Sequence, residues 1–349
     1  VKWWLAALLA FLLAALLAFL LAGCGRPAMH SQESYVFGTR IEVLVWGQPE
    51  DQARAAVAEV LREFDRLHRT YHAWQPSEMT TLNEAIAAGR AHQVTAEFAG
   101  FIRQAQALAS QGDFLFDPGI GRLVALWGFH DDTFKPQLPD AAQLAALIRT
   151  RPSIADLSIE DTTVRSRNPA VALDFGGYLK GVALDRAAAM LRARGIANAL
   201  INIGGNVMAL GSKDGRPWRV GIQHPRQPGP LATLELRDGE AIGTSGDYQR
   251  YFEVAGERYC HLLDPRSGRP AVGTEAVTVL IPPGADTGMR SDVTSKPLFI
   301  AGNDWPGQAA RLGVGQVLRI DAAGRIQVTA SLRGRLEFED RNMPVEVVP

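Results

Sequence analysis

The sequence predicts an α+β fold in which helices pack against a largely antiparallel sheet. Three observations carry this expectation. Several segments repeat apolar residues at three- and four-residue spacing, as helices with one buried face do. Many others alternate apolar with polar residues and are rich in Val, Ile and Thr, as half-buried strands are. The two kinds are mixed without the regular strand–helix–strand alternation that builds a parallel sheet.

The elements follow in order. Lys2 precedes an apolar run from Trp3 to Ala22, closed by Leu21-Ala22-Gly23-Cys24. That order resembles a bacterial lipobox. Residues 1–23 are then a signal peptide and Cys24 carries lipid, whose acyl chains anchor the body to a membrane by burying CH₂ groups. The expected location is the bacterial cell envelope, facing the periplasm. A retained membrane helix is the alternative for a run of this length. Residues 24–34 read as lipidated cysteine and polar tether, and 35–349 as one domain.

Within that domain, Tyr35 to Val45 alternates as a strand. Glu50 to His68 places Val57, Val60, Leu61, Phe64 and Leu67 on one helical face. Tyr71 to Leu82, broken by Pro76, reads as loop. Ala96 to Gly112 is a helix with Gly112 as stop, and Asp140 to Thr150 another, ended by Pro152. Val171 to Phe175 reads as a strand, Lys180 to Arg194 as a helix closed by Gly195, and Asn198 to Leu210 as a strand. Beyond these the chain is strand-rich: 218–222, 231–236, 251–254, 277–281, 317–321 and 325–329.

Composition excludes several functions. The formal net charge is −1 and no basic tract occurs, so nucleic acid is not an expected partner. Cys260 is the only cysteine besides Cys24, which leaves no disulfide for the domain. No CxxC or HExxH spacing exists, which argues against zinc.

Five stretches concentrate residues that do chemistry. Asp174-Phe-Gly176-Gly177-Tyr-Leu-Lys180-Gly181 lies between an expected strand and helix, where glycines admit a ligand to the backbone and a helix start offers N–H groups to an anion. A tight turn plus helix cap is the bland alternative. Ile203-Gly204-Gly205-Asn206 follows an apolar strand, and such pairs are mostly turns. Thr244-Ser245-Gly246-Asp247-Tyr248, with Arg250 beyond, reads as a capped turn or a polar ligand contact. His261 sits at a strand end before Asp264-Pro265. Adjacent strand residues face opposite ways, so a Cys260–His261 dyad is not expected. Ser291-Asp292-Val-Thr294-Ser295-Lys296-Pro297 offers a hard-cation ligand in Asp292, with an exposed loop aspartate as the plain alternative.

Taken together and in this order, these stretches resemble the ApbE family of FAD:protein FMN transferases. The resemblance runs from about Phe37 to Gly302. It includes Phe37-Gly38-Thr39, Trp74-Gln-Pro-Ser77-Glu78 with Leu82-Asn83, and Phe116-Asp117 through Leu126-Trp127-Gly128-Phe129. It implies an ApbE-like, T-fold-like architecture. It implies an enzyme that binds FAD, usually with Mg²⁺, and passes FMN to a Thr or Ser hydroxyl of a partner, releasing AMP. The implied partner is a flavin-accepting redox protein of the cell envelope. FAD pyrophosphatase activity, or flavin binding without catalysis, is the alternative.

Carried over by position, the resemblance implies FAD contacts at Phe37, Trp74, Leu115, Phe116, Asp117, Asp174, Gly176, Gly177, Lys180, Gly204, Gly205, Ser245 and Leu263. It implies metal contacts at the Gly177 carbonyl, Asp292 and Ser295, and chemistry at His261, Asp292 and Lys296. His261 is expected to take the hydroxyl proton, with an ordinary histidine pKa. Lys296 departs from the family pattern, since an ammonium cannot ligate a cation. Retained but weakened Mg²⁺ binding is the expectation, with the ammonium replacing part of the metal's charge as the alternative.

Overall fold

A computed structural model describes residues 3–4, 28–130 and 136–348. Apart from Trp3 and Trp4, the expected signal peptide lies outside the described residues, as do Cys24 and its lipid. Among the described residues no helix is long and apolar enough to cross a membrane.

The chain runs β1 (Met29–Val36), β2 (Thr39–Trp46), α1 (Glu50–Thr70), α2 (Glu78–Ala87), β3 (His92–Gln93), α3 (Ala96–Gln111), α4 (Gly121–Leu126) and α5 (Ala141–Thr150). It continues through β4 (Leu157–Glu160), β5 (Thr163–Ser166), α6 (Leu179–Ala193), β6 (Ala199–Ile203), β7 (Asn206–Leu210), β8 (Trp218–Gln223), β9 (Pro230–Leu236) and β10 (Ala241–Gly246). There follow β11 (Tyr251–Val254), β12 (Glu257–Cys260), β13 (Leu263–Asp264), β14 (Arg269–Pro270) and β15 (Thr274–Ile281). The last elements are α7 (Thr287–Ala301), α8 (Trp305–Leu312), β16 (Val317–Asp321), β17 (Ile326–Thr329), α9 (Ala330–Arg333), β18 (Leu336–Phe338) and β19 (Val345–Val348).

The main sheet has the order β1-β2-β6-β7-β10-β15-β16-β17-β19 and is antiparallel except at β17–β19. The expected α+β class is therefore the observed one. Helices α1 and α6 cover one stretch of the sheet, and α7 lies across β10 and β15. A core of Ile41, Val57, Phe64, Phe98, Leu184 and Ile201 fills the space beneath α1, α3 and α6. A separate three-stranded sheet, β18-β9-β8, packs its own apolar face, including Trp218 and Leu234, on the opposite side.

Several local expectations change. Residues 29–34 are not tether: they form β1, held by the register from Met29↔Trp46 to Val36↔Thr39. The turn between β1 and β2 uses Phe37 and Gly38, both at positive φ (57° and 67°). Two successive positive φ values match the twist of a tight hairpin. The expected strand 198–210 is likewise a hairpin, β6–β7, turning at Gly204 and Gly205 (φ 58° and 91°).

Residues 78–82, the end of the expected loop, instead open helix α2. Ser77 accepts the Thr80 N–H, and the Thr80 hydroxyl returns the bond to the Ser77 N–H, a reciprocal cap. Val171 to Phe175 joins no ladder beyond one bridge, Ile120↔Ala172. On one side its backbone bonds residues 118–121, with Ala172 N–H to the Gly119 carbonyl at 3.1 Å and Asp174 N–H to the Pro118 carbonyl at 2.8 Å. On the other, Asn83 accepts the Leu173 N–H at 2.7 Å and donates to the Leu173 carbonyl at 2.9 Å. Thr244 to Gly246 is the end of central strand β10, not a turn. Ser291 to Pro297 is not an exposed loop but the middle of α7, with Asp292 buried.

Candidate functional site

The ends of these elements surround a cleft of about 790 Å³, within the range of small-molecule sites. Aromatic residues line it: Phe37 from the β1–β2 turn, Trp74 from the loop after α1, and Phe129 beyond α4. So do polar groups: Asp174, Gly176, Gly177 and Lys180, Ser245 at the end of β10, His261, and Asp292 and Lys296 on α7.

The glycine stretch makes this geometry possible. Asp174 Oδ1 accepts the Gly176 N–H at 2.8 Å, which closes a local turn before α6 starts at Leu179. A Cβ on Gly177 would lie 2.6 Å from Lys296 Cε, so the lysine stem passes close over this backbone and a larger residue would push it aside. A Cβ on Gly181 would lie 2.5 Å from the Met289 Cα, so the crossing of α6 and α7 also requires glycine. Asp185 then accepts the N–H groups of Gly288 at 2.7 Å and Met289 at 2.8 Å, capping α7 from α6. Burial raises the Asp185 carboxyl to about 6, against the opposing pull of those two N–H donors.

This crossing brings Asp292 and Lys296 to the cleft. Lys296 Nζ donates to Asp292 Oδ1 at 2.6 Å and to the Asp292 carbonyl at 2.7 Å. Asp292 Oδ2 accepts the Gly181 N–H at 3.0 Å. Burial acts to raise the Asp292 pKa. The ammonium groups of Lys296 and Lys180 and the Gly181 N–H outweigh it, leaving the carboxyl below its ordinary range. Burial, with the Lys180 charge adding to it, pushes the Lys296 pKa below the ordinary lysine value, while the charge and hydrogen bond of Asp292 pull the other way and favour the ammonium. Lys180, in the first turn of α6, donates to the Gly176 carbonyl at 3.2 Å.

His261 lies between β12 and β13. Its Nδ1 is 3.2 Å from the Arg250 carbonyl, an acceptor only, so the proton sits on Nδ1 and Nε2 keeps its lone pair. Burial pushes its pKa down to about 3, and the cationic Arg250, Lys180 and Lys296 add to the fall. The expected ordinary pKa is corrected accordingly: the ring is neutral across the physiological range. Burial raises the Asp174 pKa, opposed by the Gly176 N–H, the charge of Arg250 and a hydrogen bond from Trp74. Arg250 also lies over the Trp74 ring, 5.9 Å from its centroid.

The residues present do not fit a divalent metal. Mg²⁺ needs close to six oxygen donors in octahedral array. Both Asp292 oxygens are engaged, one by an ammonium. The Ser295 hydroxyl donates to the Asp292 carbonyl at 2.9 Å and meets Ser245 Oγ at 2.8 Å inside the fold. Among the described residues no three His, Cys, Asp or Glu side chains converge as a metal site.

The structure gathers Phe37, Trp74, Leu115, Phe116, Asp117, Asp174, Gly176, Gly177, Lys180, Gly204, Ser245, His261, Leu263, Asp292 and Lys296 around this one cleft. Gly205 and Ser295 do not line it. Gly205 donates its N–H to Asn202 within the β6–β7 turn, and Ser295 faces the interior. The Asp117 carboxylate is occupied structurally, accepting the N–H groups of Gly119 and Ile154, each at 2.8 Å. Asp247 turns away into a bidentate pair with Arg226. Arg250, Thr244 and Phe129, which the sequence motifs contain without a ligand contact being assigned to them individually, also line the cleft. The Cys260 thiol lies 3.8 Å from the Leu262 and Ala271 carbonyls, apart from the site.

Comparison with known proteins follows the same line. The ApbE family profile matches residues 37–315. Over 318 residues the chain is 45% identical to an FAD:protein FMN transferase of Rhodobacter capsulatus, covering 91% of this chain and 60% of that protein. It is 34% identical to an FAD:protein FMN transferase of Klebsiella pneumoniae, covering 72% of this chain and 77% of that one. The crystal structure of the ApbE protein of Thermotoga maritima superposes with a TM-score of 0.79 at 28% identity, covering 88% of this chain and 99% of the other. The flavin transferase ApbE of Vibrio cholerae superposes at 0.76 with 25% identity and the same coverage.

Proposed function

The chain belongs to the ApbE family, and on that premise we propose that it moves FMN from FAD onto a Thr or Ser hydroxyl of a partner protein. One observation carries the reading: a single cleft is lined by a neutral histidine, the Nζ donors of Lys180 and Lys296 and the rings of Phe37 and Trp74. FAD has the matching parts, two flat rings and a pyrophosphate between them. Trp74 and Phe37 offer part-exposed rings, and Lys180 and Lys296 offer donors to phosphate oxygens.

The step balances as follows. The partner's hydroxyl oxygen attacks the FMN-side phosphorus while its proton passes to His261 Nε2. A new P–O bond joins FMN to the partner, the bond to the bridging oxygen breaks, and AMP leaves. Phosphoryl transfer of this kind depends on positioning and charge neutralisation. Without substrate His261 is a weak base, first because it is buried and further because Arg250, Lys180 and Lys296 are cationic. A bound pyrophosphate offsets that repulsion and raises its basicity when the hydroxyl is present. No step is routed through Mg²⁺, because the donor set at Asp292 does not suit it.

The run Trp3–Ala22 with Cys24 supports a lipid-anchored protein of the bacterial envelope, facing the periplasm. The partner in that compartment is then a flavin-accepting redox protein. A Cys24→Ala variant that still fractionates with membranes and takes up labelled fatty acid would remove this part. The transfer itself is tested with FAD and a candidate acceptor domain. A fluorescent acceptor band with AMP is expected. Free FMN with AMP would indicate hydrolysis, and no product would indicate binding alone.

A further inference from the structure

We propose that the Lys296 ammonium, locked onto Asp292, is a built-in substitute for a divalent cation, so that this chain holds and cleaves the FAD pyrophosphate without a metal ion. The inference rests on the flavin-transfer reading above.

The space a cation would need beside Asp292 is already filled. The Lys296 stem crosses Gly177 closely enough that a Cβ there would be 2.6 Å from Cε and 3.0 Å from Cδ. Its ammonium reaches Asp292 Oδ1 at 2.6 Å and the Asp292 carbonyl at 2.7 Å. The other carboxylate oxygen is held by the Gly181 N–H. A dication added here would face the ammonium across a few ångströms in a site of reduced dielectric, with no unspent carboxylate to offset the repulsion.

The ammonium also supplies what a cation would. It has three donors, and two go to Asp292, which leaves the third for a phosphate oxygen. Lys180 approaches the same loop from the start of α6, where backbone N–H groups favour an anion. When the hydroxyl attacks, charge builds on the leaving AMP oxygens. Two fixed ammonium groups, oriented before substrate arrives, can stabilise it.

Flavin-fluorescence titration of the full chain with FAD, in excess EDTA and again with added Mg²⁺, tests this directly. The wild type is expected to bind FAD equally in both conditions, and Mg²⁺ titrated calorimetrically into the FAD complex is expected to give no binding heat. Lys296→Ser removes the ammonium and leaves an oxygen donor. Its FAD affinity in EDTA is expected to fall about 10- to 100-fold and to recover on adding Mg²⁺. Lys296→Arg, which keeps a cation, is expected to remain insensitive to chelator. FAD binding by the wild type that vanishes in EDTA and returns with Mg²⁺ would overturn this inference alone, as would an undiminished affinity of Lys296→Ser in EDTA. Failure to bind FAD in either condition would overturn the flavin-transfer reading and this inference with it.

Discussion

Two buried ion pairs in this protein look alike by exposure and differ in what they leave unused. In the cleft, the Lys296 and Asp292 side chains are 14% and 2% exposed. On the far side of the sheet, those of Arg335 and Glu240 are 17% and 7% exposed. Arg335 meets Glu240 with two parallel bonds, at 2.7 and 2.8 Å, and gives another to the Glu235 carbonyl. Glu240 also accepts the Arg237 N–H. That pair is closed on itself and ties β9 to the segment before β18. The Lys296–Asp292 pair keeps one ammonium donor facing a cavity. Burial alone does not mark a functional charge; an unspent donor beside empty space does.

The comparison breaks most visibly if each pair is disrupted in turn. Arg335→Met leaves Glu240 buried without its partner, and chemical denaturation should show a loss of about 3–5 kcal/mol with transfer activity per folded molecule retained. Lys296→Met also leaves a buried carboxylate without its partner, and it should differ in adding a large loss of FAD binding, because the donor facing the cleft is gone. FAD binding retained by Lys296→Met, or an activity defect in Arg335→Met, would erase the distinction.

His261 sharpens it next, since it feels the cations of the open pair. His261→Ala should lower the transfer rate by about 100-fold or more with FAD affinity nearly unchanged. A fall in affinity alone would make the residue a contact and not a base.

The pH dependence follows from the same site. His261 has a folded pKa pushed down to about 3, below its unfolded value. Between those values the unfolded chain binds the extra proton, so this group's contribution is intact above about pH 6.5 and is lost as pH falls. By pH 5 the loss should reach about 2 kcal/mol, and His261→Gln should show less of it in denaturant titrations. The acid limb of kcat/KM should likewise lie well below pH 6.5. Asp185 runs the other way: its raised pKa disfavours the ionised fold, so that penalty fades as pH drops from 6 towards 4.

The smallest expected effect is at Asn83, which touches neither pair. Asn83→Ala strips the Leu173 backbone of both partners and should cost roughly 1–3 kcal/mol. Its activity should fall modestly through a higher KM for FAD, because the strand-like segment leading to Asp174 loses its anchor. A change in kcat alone would contradict that positioning role.

Much of this site is legible in the sequence. Glycines beside Asp174 and Lys180 announce a ligand-accessible turn at a helix start, and that turn is where the structure has it. What stayed hidden is what long-range partners decide. Val171 to Phe175 has a strand's composition, but it pairs with only a short run at 118–121, and Asn83, far back in the chain, takes both backbone groups of Leu173. Ser291 to Pro297 has the polarity and the proline of a loop, yet it is helical. It is buried on all sides, so no amphipathic period marks it, and its cap comes from Asp185 on another helix. Residues 29–34 become a strand only because β2 is there to pair with them. The depressed pKa of His261 was invisible for the same reason, since burial and three distant cations produce it.

The central claim is that a protein hydroxyl, and not water, attacks the flavin-side phosphorus. Running the reaction with FAD and acceptor in heavy-oxygen water, and weighing the products by mass spectrometry, tests it most directly. The account predicts that AMP and the flavinylated acceptor both carry no solvent oxygen. Heavy oxygen in released FMN or AMP, with the acceptor left unmodified, would contradict it.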